Sequence, residues 1–245
     1  MLFGFTNMTE AKRVAERAKQ VLPLRGAALE DEYFYQSVPI CLIDAVYSIG
    51  VRYSQVQKVV DNYCRYFNLR KTRGDRNILP PIDTQESISD FFKKMQDIGI
   101  ETFTSHIFRN RQRTSTNRGI LKAEAIYRFA EVLKKYGINY LQDVPAVIKS
   151  VDLENDIKQI PGQRSGISLR YFFMLSGSED FIKPDRMIQR FLESVLQRPI
   201  RIVESQHLLS EASDELKIHY PNVTPRLLDN LIWQYQRQQR YTNET

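Results

Sequence analysis

Apolar residues recur at helical spacing along most of the chain. Between Thr9 and Val21, residues Ala11, Val14, Ala15, Ala18 and Val21 share one face, with Thr9 placed to cap the start. Pro39–Ile49 is apolar almost throughout and predicts a buried helix that stops at Gly50. The next helix runs from a Ser54 cap through Val56, Val59, Val60, Tyr63 and Cys64 to about Phe67. Further helices are predicted at Ser87–Ile98, Leu121–Tyr136, Asp152–Gln159, Ser165–Ser176, Arg186–Leu196, Ser205–Tyr220 and Thr224–Gln238. Apolar runs such as Ile200–Val203 are too short and too little alternating to require a sheet. The pattern predicts an all-α fold with a polar, frayed tail after Arg237.

The breaks between these helices carry the charge. Leu69–Pro81 is a basic loop with Arg70, Lys71, Arg73 and Arg76 around Gly74 and ending in Pro80-Pro81. Arg109, Arg111, Arg113 and Arg118 lie in a second polar stretch, and Arg164 and Arg170 in a third. With 35 Lys and Arg against 29 Asp and Glu the net charge is +6, a mild excess that permits a polyanionic partner. A 42% hydrophobic share over 245 residues excludes a disordered or collagen-like chain. No apolar run approaches the roughly 18–20 residues that cross a bilayer, and Met1–Asn7 does not read as a signal peptide. Cys41 and Cys64 sit in apolar helical text and are too few for a disulfide framework or a four-cysteine cluster. His106, His207 and His219 lack metal-ligand spacing. The expectation is a cytoplasmic protein with no metal, cofactor or membrane partner.

The most informative text runs from Asp152 to Phe191. A short helix ends in Ile160-Pro161-Gly162, and a tight turn through Gln163, Arg164, Ser165 and Gly166 opens the next. Such a hairpin turns the free N–H groups of a helix start outward, where they suit phosphate oxygens. Arg164 adds a cation. Asp185 follows Pro184 and precedes the amphipathic helix Arg186–Leu196, a position that also suits an N-cap.

Taken together, these segments resemble the helix-hairpin-helix DNA glycosylase superfamily. That family reads L-P-G-x-G-x-x-T-A and places a catalytic Asp a little over twenty residues beyond the first glycine. Gly162 and Asp185 are 23 positions apart. The Pro-Asp pair with Ile188 and Arg190 is most similar to the alkylated-base branch. Weaker similarity at Pro39–Val59 and Arg118–Ile126 extends the resemblance over about residues 38–237. Arg164 stands at the hairpin's second glycine, unless Gly166 supplies it through a shifted turn.

The resemblance implies two helical lobes with a cleft between them, residues 38–150 forming one, and 1–37 with 151–240 the other. It implies Asp185 as the catalytic carboxylate and a monofunctional enzyme, because no lysine lies between Lys158 and Lys183 to form an imine. The implied substrate is double-stranded DNA carrying an alkylated purine, taken by a monomer in repair. Independently of the resemblance, Met1–Gln36 and Leu69–Ser87 do not match the repair enzymes, and that divergence motivates a hypermodified base, such as a modified cytosine in phage DNA, and antiviral defence. Gly50–Tyr53 matches the family's wedge loop, with Arg52 and Tyr53 as candidates. Tyr47, Tyr171 and Phe172 are candidates to stack on an extruded base. Arg111, Arg113 and Arg118 are candidate phosphate contacts. A helix-hairpin-helix protein that binds DNA without turnover is the alternative.

Overall fold

The computed structural model describes residues 8–243; Met1–Asn7, including its reading as no leader, lies outside them. Helices are α1 (Glu10–Val21), α2 (Val38–Tyr47), α3 (Tyr53–Tyr66), α4 (Ile88–Ile98), α5 (Ile100–Thr102), α6 (Lys122–Lys135), α7 (Val151–Gln159), α8 (Ile167–Ser176), α9 (Arg186–Leu196), α10 (Ile202–Lys217) and α11 (Pro225–Asn243). No strand forms among the described residues, only isolated bridges at Tyr35–Thr72 and Arg113–Leu121. No helix among them is long and apolar enough to cross a membrane.

Capping accounts for several starts. The side chains of Thr9, Ser87 and Ser150 accept from Lys12 N, Asp90 N and Leu153 N. Gly99, at φ 88°, closes α4, and the chain re-enters a helix as α5 and a π-helical turn, Phe103–Ile107. The sequence pattern misses this element because Ile100, Phe103 and Ile107 form too short a repeat to stand out. Ile200–Val203 leads into α10, and α11 continues to Asn243 where a frayed tail was expected beyond Arg237.

The chain divides into two compact units: Glu30–Ser178, and the described parts of Met1–Leu29 and Glu179–Thr245. Residues 30–37 and 151–178 thus lie in the larger unit, where the expected grouping had 1–37 with all of 151–240. The cause is α8, whose Leu169 and Phe172 are buried, and which packs on α2, while α7 packs on α6. In the larger unit all ten residues of α2 are buried, against α3, α6 and α8. In the smaller unit α10 packs on α1, and α9 on α11. Leu228 and Ile232 anchor α11 in that core, and Trp233 is half-buried beneath the Arg237 guanidinium.

Candidate nucleic-acid interface and carboxylate site

The helical hairpin is made of two consecutive turns. Gln163 N donates to Ile160 O at 2.9 Å, and Gly166 N to Gln163 O at 2.9 Å. The left-handed positions are Gly162 (φ 87°) and Gly166 (φ 71°). Arg164 is not among the positive-φ residues, so the second left-handed position of the turn is Gly166 and the arginine is accommodated without strain. Gln163 is buried, and its Oε1 accepts from the Ser168 hydroxyl, which ties the turn to α8. Gly166 caps α8 without a side chain of its own, and Ser165 Oγ accepts from Ile167 N, the first residue of α8, at 3.4 Å. Pro161, Arg164 and Ser165 are exposed. Arg164 lines a surface hollow of about 470 Å³ with Asn155, Lys158 and Gln159.

The arginine stretch is seated on this hairpin. A Cβ at Gly162 would stand 2.3 Å from Thr114 Cβ, so only glycine permits the approach. The stretch is closed by Thr114 N to Ile120 O and Lys122 N to Gln112 O, each 2.9 Å. Arg113 Nη1 donates to Gly119 O at 2.7 Å, and Arg111 is ion-paired with Glu101, which holds the Glu101 carboxyl below its ordinary range through that bond. Arg118 is exposed at φ 55°. All three expected phosphate contacts are exposed, and Arg111 and Arg113 also brace the loop.

At its other end the stretch meets loop 50–53, the expected wedge. Gln112 Nε2 donates to Gln55 Oε1 at 2.9 Å, in the first turn of α3. Arg52 is exposed, and Tyr53 is half-buried with its ring 6.4 Å from that of Tyr33 at 21°. Burial raises the Tyr53 phenol far above its ordinary range. The loop hangs from α2 by Lys122, 2% exposed, whose Nζ donates to Tyr47 O at 2.9 Å and Ile49 O at 2.8 Å. An ammonium there also matches the negative end of the α2 dipole. Loop 50–53, the arginine stretch and the α7–α8 turn therefore form one contiguous edge of the larger unit.

The base-pocket candidates do not open onto a surface. Tyr47 is 1% exposed, its hydroxyl reaching Asn110 O at 3.4 Å and its ring against Phe108. Tyr171 is buried, and Phe172 is fully buried beside Phe129 and Phe173. Their apolar packing in the α2–α8 core takes them out of the pocket role. The half-buried Tyr33 and Tyr53 are the aromatics beside the wedge loop.

Asp185 lies in the smaller unit, half-buried before α9. Its Oδ1 accepts from Met187 N at 2.7 Å and Ile188 N at 3.2 Å, so it is a true N-cap. Sequence reasoning missed a second acid in the same unit. Asp229 on α11 is 6% exposed and accepts from Lys183 N at 3.2 Å. Burial, then the nearby Asp185 charge, push its carboxyl well above the ordinary range against the opposing charges of Lys183 and Arg226. The available signal was one acid inside the apolar run Leu227-Leu228-Asp229-Asn230-Leu231-Ile232. Cys41 and Cys64 are buried free thiols, and burial pushes Cys64 up to about 12. No group of acids, histidines and cysteines among the described residues could hold a metal ion.

Fold and site define an all-α protein of two helical units, one bearing a glycine-built helical hairpin with an arginine-rich edge, the other a capping carboxylate beside a buried one. Residues 12–237 match the family model for a domain of unknown function (DUF8548), and the chain belongs to that family. No curated protein and no solved structure matches it.

Proposed function

We propose that the protein is a monofunctional DNA glycosylase, which extrudes a damaged or modified base from double-stranded DNA and leaves an abasic site. The observation that carries this reading is the hairpin: two left-handed glycines, Gly162 and Gly166, lead into α8, whose N-cap is a glycine with no side chain of its own, and Gly162 is seated on the arginine stretch. Ser165 Oγ takes the Ile167 N–H at 3.4 Å, the helix dipole suits a phosphate, and the exposed Arg164 and Arg118 add charge. Arg52 and Tyr53 stand at the start of α3, where a side chain could fill the gap left by the base. Extrusion costs a few kcal/mol.

Breaking the C1′–N bond leaves positive charge on the sugar. Asp185 stabilises that charge and takes a proton from the attacking water, whose oxygen bonds to C1′. The departing base keeps the bond's electron pair and gains a proton. No lysine lies between Lys158 and Lys183 to form an imine, so the strand stays intact.

The test is incubation with duplexes carrying alkylated purines or modified cytosines, followed by alkali to cut at abasic sites. Wild type is expected to release at least one base class, and Asp185→Asn to slow release by about 100-fold or more. Equal background release by both chains across the panel would refute the enzyme. A purine-only or modified-cytosine-only product separates repair from defence against phage. The second reading, DNA binding without turnover, is favoured by the engagement of Asp185 Oδ1 as a cap. It predicts salt-sensitive duplex binding, no abasic sites and no effect of Asp185→Asn.

A further inference from the structure

The segment that delivers Asp185 is pinned at successive residues. Gln206 on α10 donates to Asp180 O at 2.8 Å and accepts from Ile182 N at 3.1 Å. Asp229 Oδ1 on α11 accepts from Lys183 N at 3.2 Å, and Lys183 O accepts from Asp185 N at 2.7 Å. Asp229 is thus one residue's hydrogen bonds away from the Asp185 backbone. Asp185 Oδ1 is committed to α9, while Oδ2 accepts no hydrogen bond from the described residues. The direction of Oδ2 is therefore set by the turn that Asp229 holds.

A buried carboxyl is a costly way to accept one backbone N–H, since an amide would accept it without a titratable group. We propose that Asp229 is a positioning residue for Asp185, its Oδ1 fixing the Lys183–Asp185 turn so that the second Asp185 oxygen keeps one direction toward substrate. This rests on the glycosylase reading. The carboxyl of Asp229 lies well above its ordinary range, from burial first and the Asp185 charge second. That direction disfavours a second negative charge beside Asp185 while Oδ1 holds the turn.

The experiment compares wild type, Asp229→Asn and Asp229→Ala as full chains. Amide exchange at Lys183 reads the pin directly, and base release under saturating and limiting duplex reads kcat and KM. Wild type and Asp229→Asn are expected to protect the Lys183 amide alike, while Asp229→Ala exchanges at least tenfold faster. The alanine chain is expected to lose tenfold or more in kcat with KM within threefold, and the asparagine chain to keep kcat within threefold. An unprotected Lys183 amide in wild type overturns the proposal, and that measurement stands even if the alanine chain does not fold. So does an asparagine chain as slow as the alanine one, or an alanine chain with wild-type kcat. A wild type inert on every duplex refutes the glycosylase alone, because the exchange result still decides whether Asp229 pins the turn.

Discussion

Substituting Gly162 by alanine strikes the point where the hairpin meets the arginine stretch. Two costs add. At φ 87° an L side chain sits in the left-handed region, which costs roughly 1–2 kcal/mol. The new Cβ would also lie 2.3 Å from Thr114 Cβ and 2.6 Å from its Oγ1, so the loop must move by about an ångström. Overpacking of this kind costs roughly 1–3 kcal/mol. Gly166 is the internal control. Its φ is 71°, but an added Cβ meets only the ends of flexible side chains, Lys158 Cε at 3.3 Å and Glu154 Oε1 at 3.4 Å. Gly166→Ala should show the backbone cost alone, about 1–2 kcal/mol. Both gain about 0.4–1 kcal/mol from a less free unfolded chain, which cancels in the comparison. Gly162→Ala should then be the less stable of the two by about 1–3 kcal/mol, read from urea unfolding followed by circular dichroism. Adding Thr114→Gly removes the clashing carbon and should return most of that difference. A Gly162→Ala chain as stable as Gly166→Ala, or one that Thr114→Gly fails to help, would refute the seating of the hairpin.

Two further outcomes test the supports of the two units. Lys122→Met keeps the buried stem but leaves Tyr47 O and Ile49 O without their donor, and it should lower stability by about 2–4 kcal/mol and speed amide exchange in the wedge loop; an unchanged urea midpoint would contradict the role of Lys122 as the α2 cap. Arg198 bridges Glu10 and Glu204, and its hydrogen bonds hold both carboxyls below their ordinary range. Depressed values stabilise the fold above the ordinary Glu value of about 4.3, and that contribution is lost as the pH falls through them. Arg198→Ala should therefore lower Tm at pH 7 in low salt, and match wild type below about pH 3 or in about 1 M salt. A Tm difference that persists in acid would rule out the ion pairs as its source.

The amino-acid sequence by itself determined the helices, because helical periodicity and caps act over three or four neighbours. Thr9, Ser87 and Ser150 cap as local chemistry demands, and the apolar run of α2 declares a buried helix. The hairpin was legible from Ile160 to Gly166 for the same reason, and so was the dual character of Asp185 as an acid in a capping position. Which residue completes the hairpin was not. Arg164 and Gly166 are both compatible with the text, and only the backbone, turning left-handed at Gly166, chose between them.

Tertiary structure alone decided which side chains meet, since those partners are far apart in the chain. Thr114 against Gly162 and Gln55 against Gln112 join three loops into one edge. Tyr47 and Phe172 look like any stacking aromatics in sequence, yet the α2–α8 contact buries them. The same contact draws α7 and α8 into the larger unit. Asp229 is one acid in an apolar run until folding sets it against the Lys183 amide, 46 residues away. Periodicity reports which face of a helix is apolar, but not which distant segment covers it, and that covering decides burial, charge and the direction of every candidate side chain.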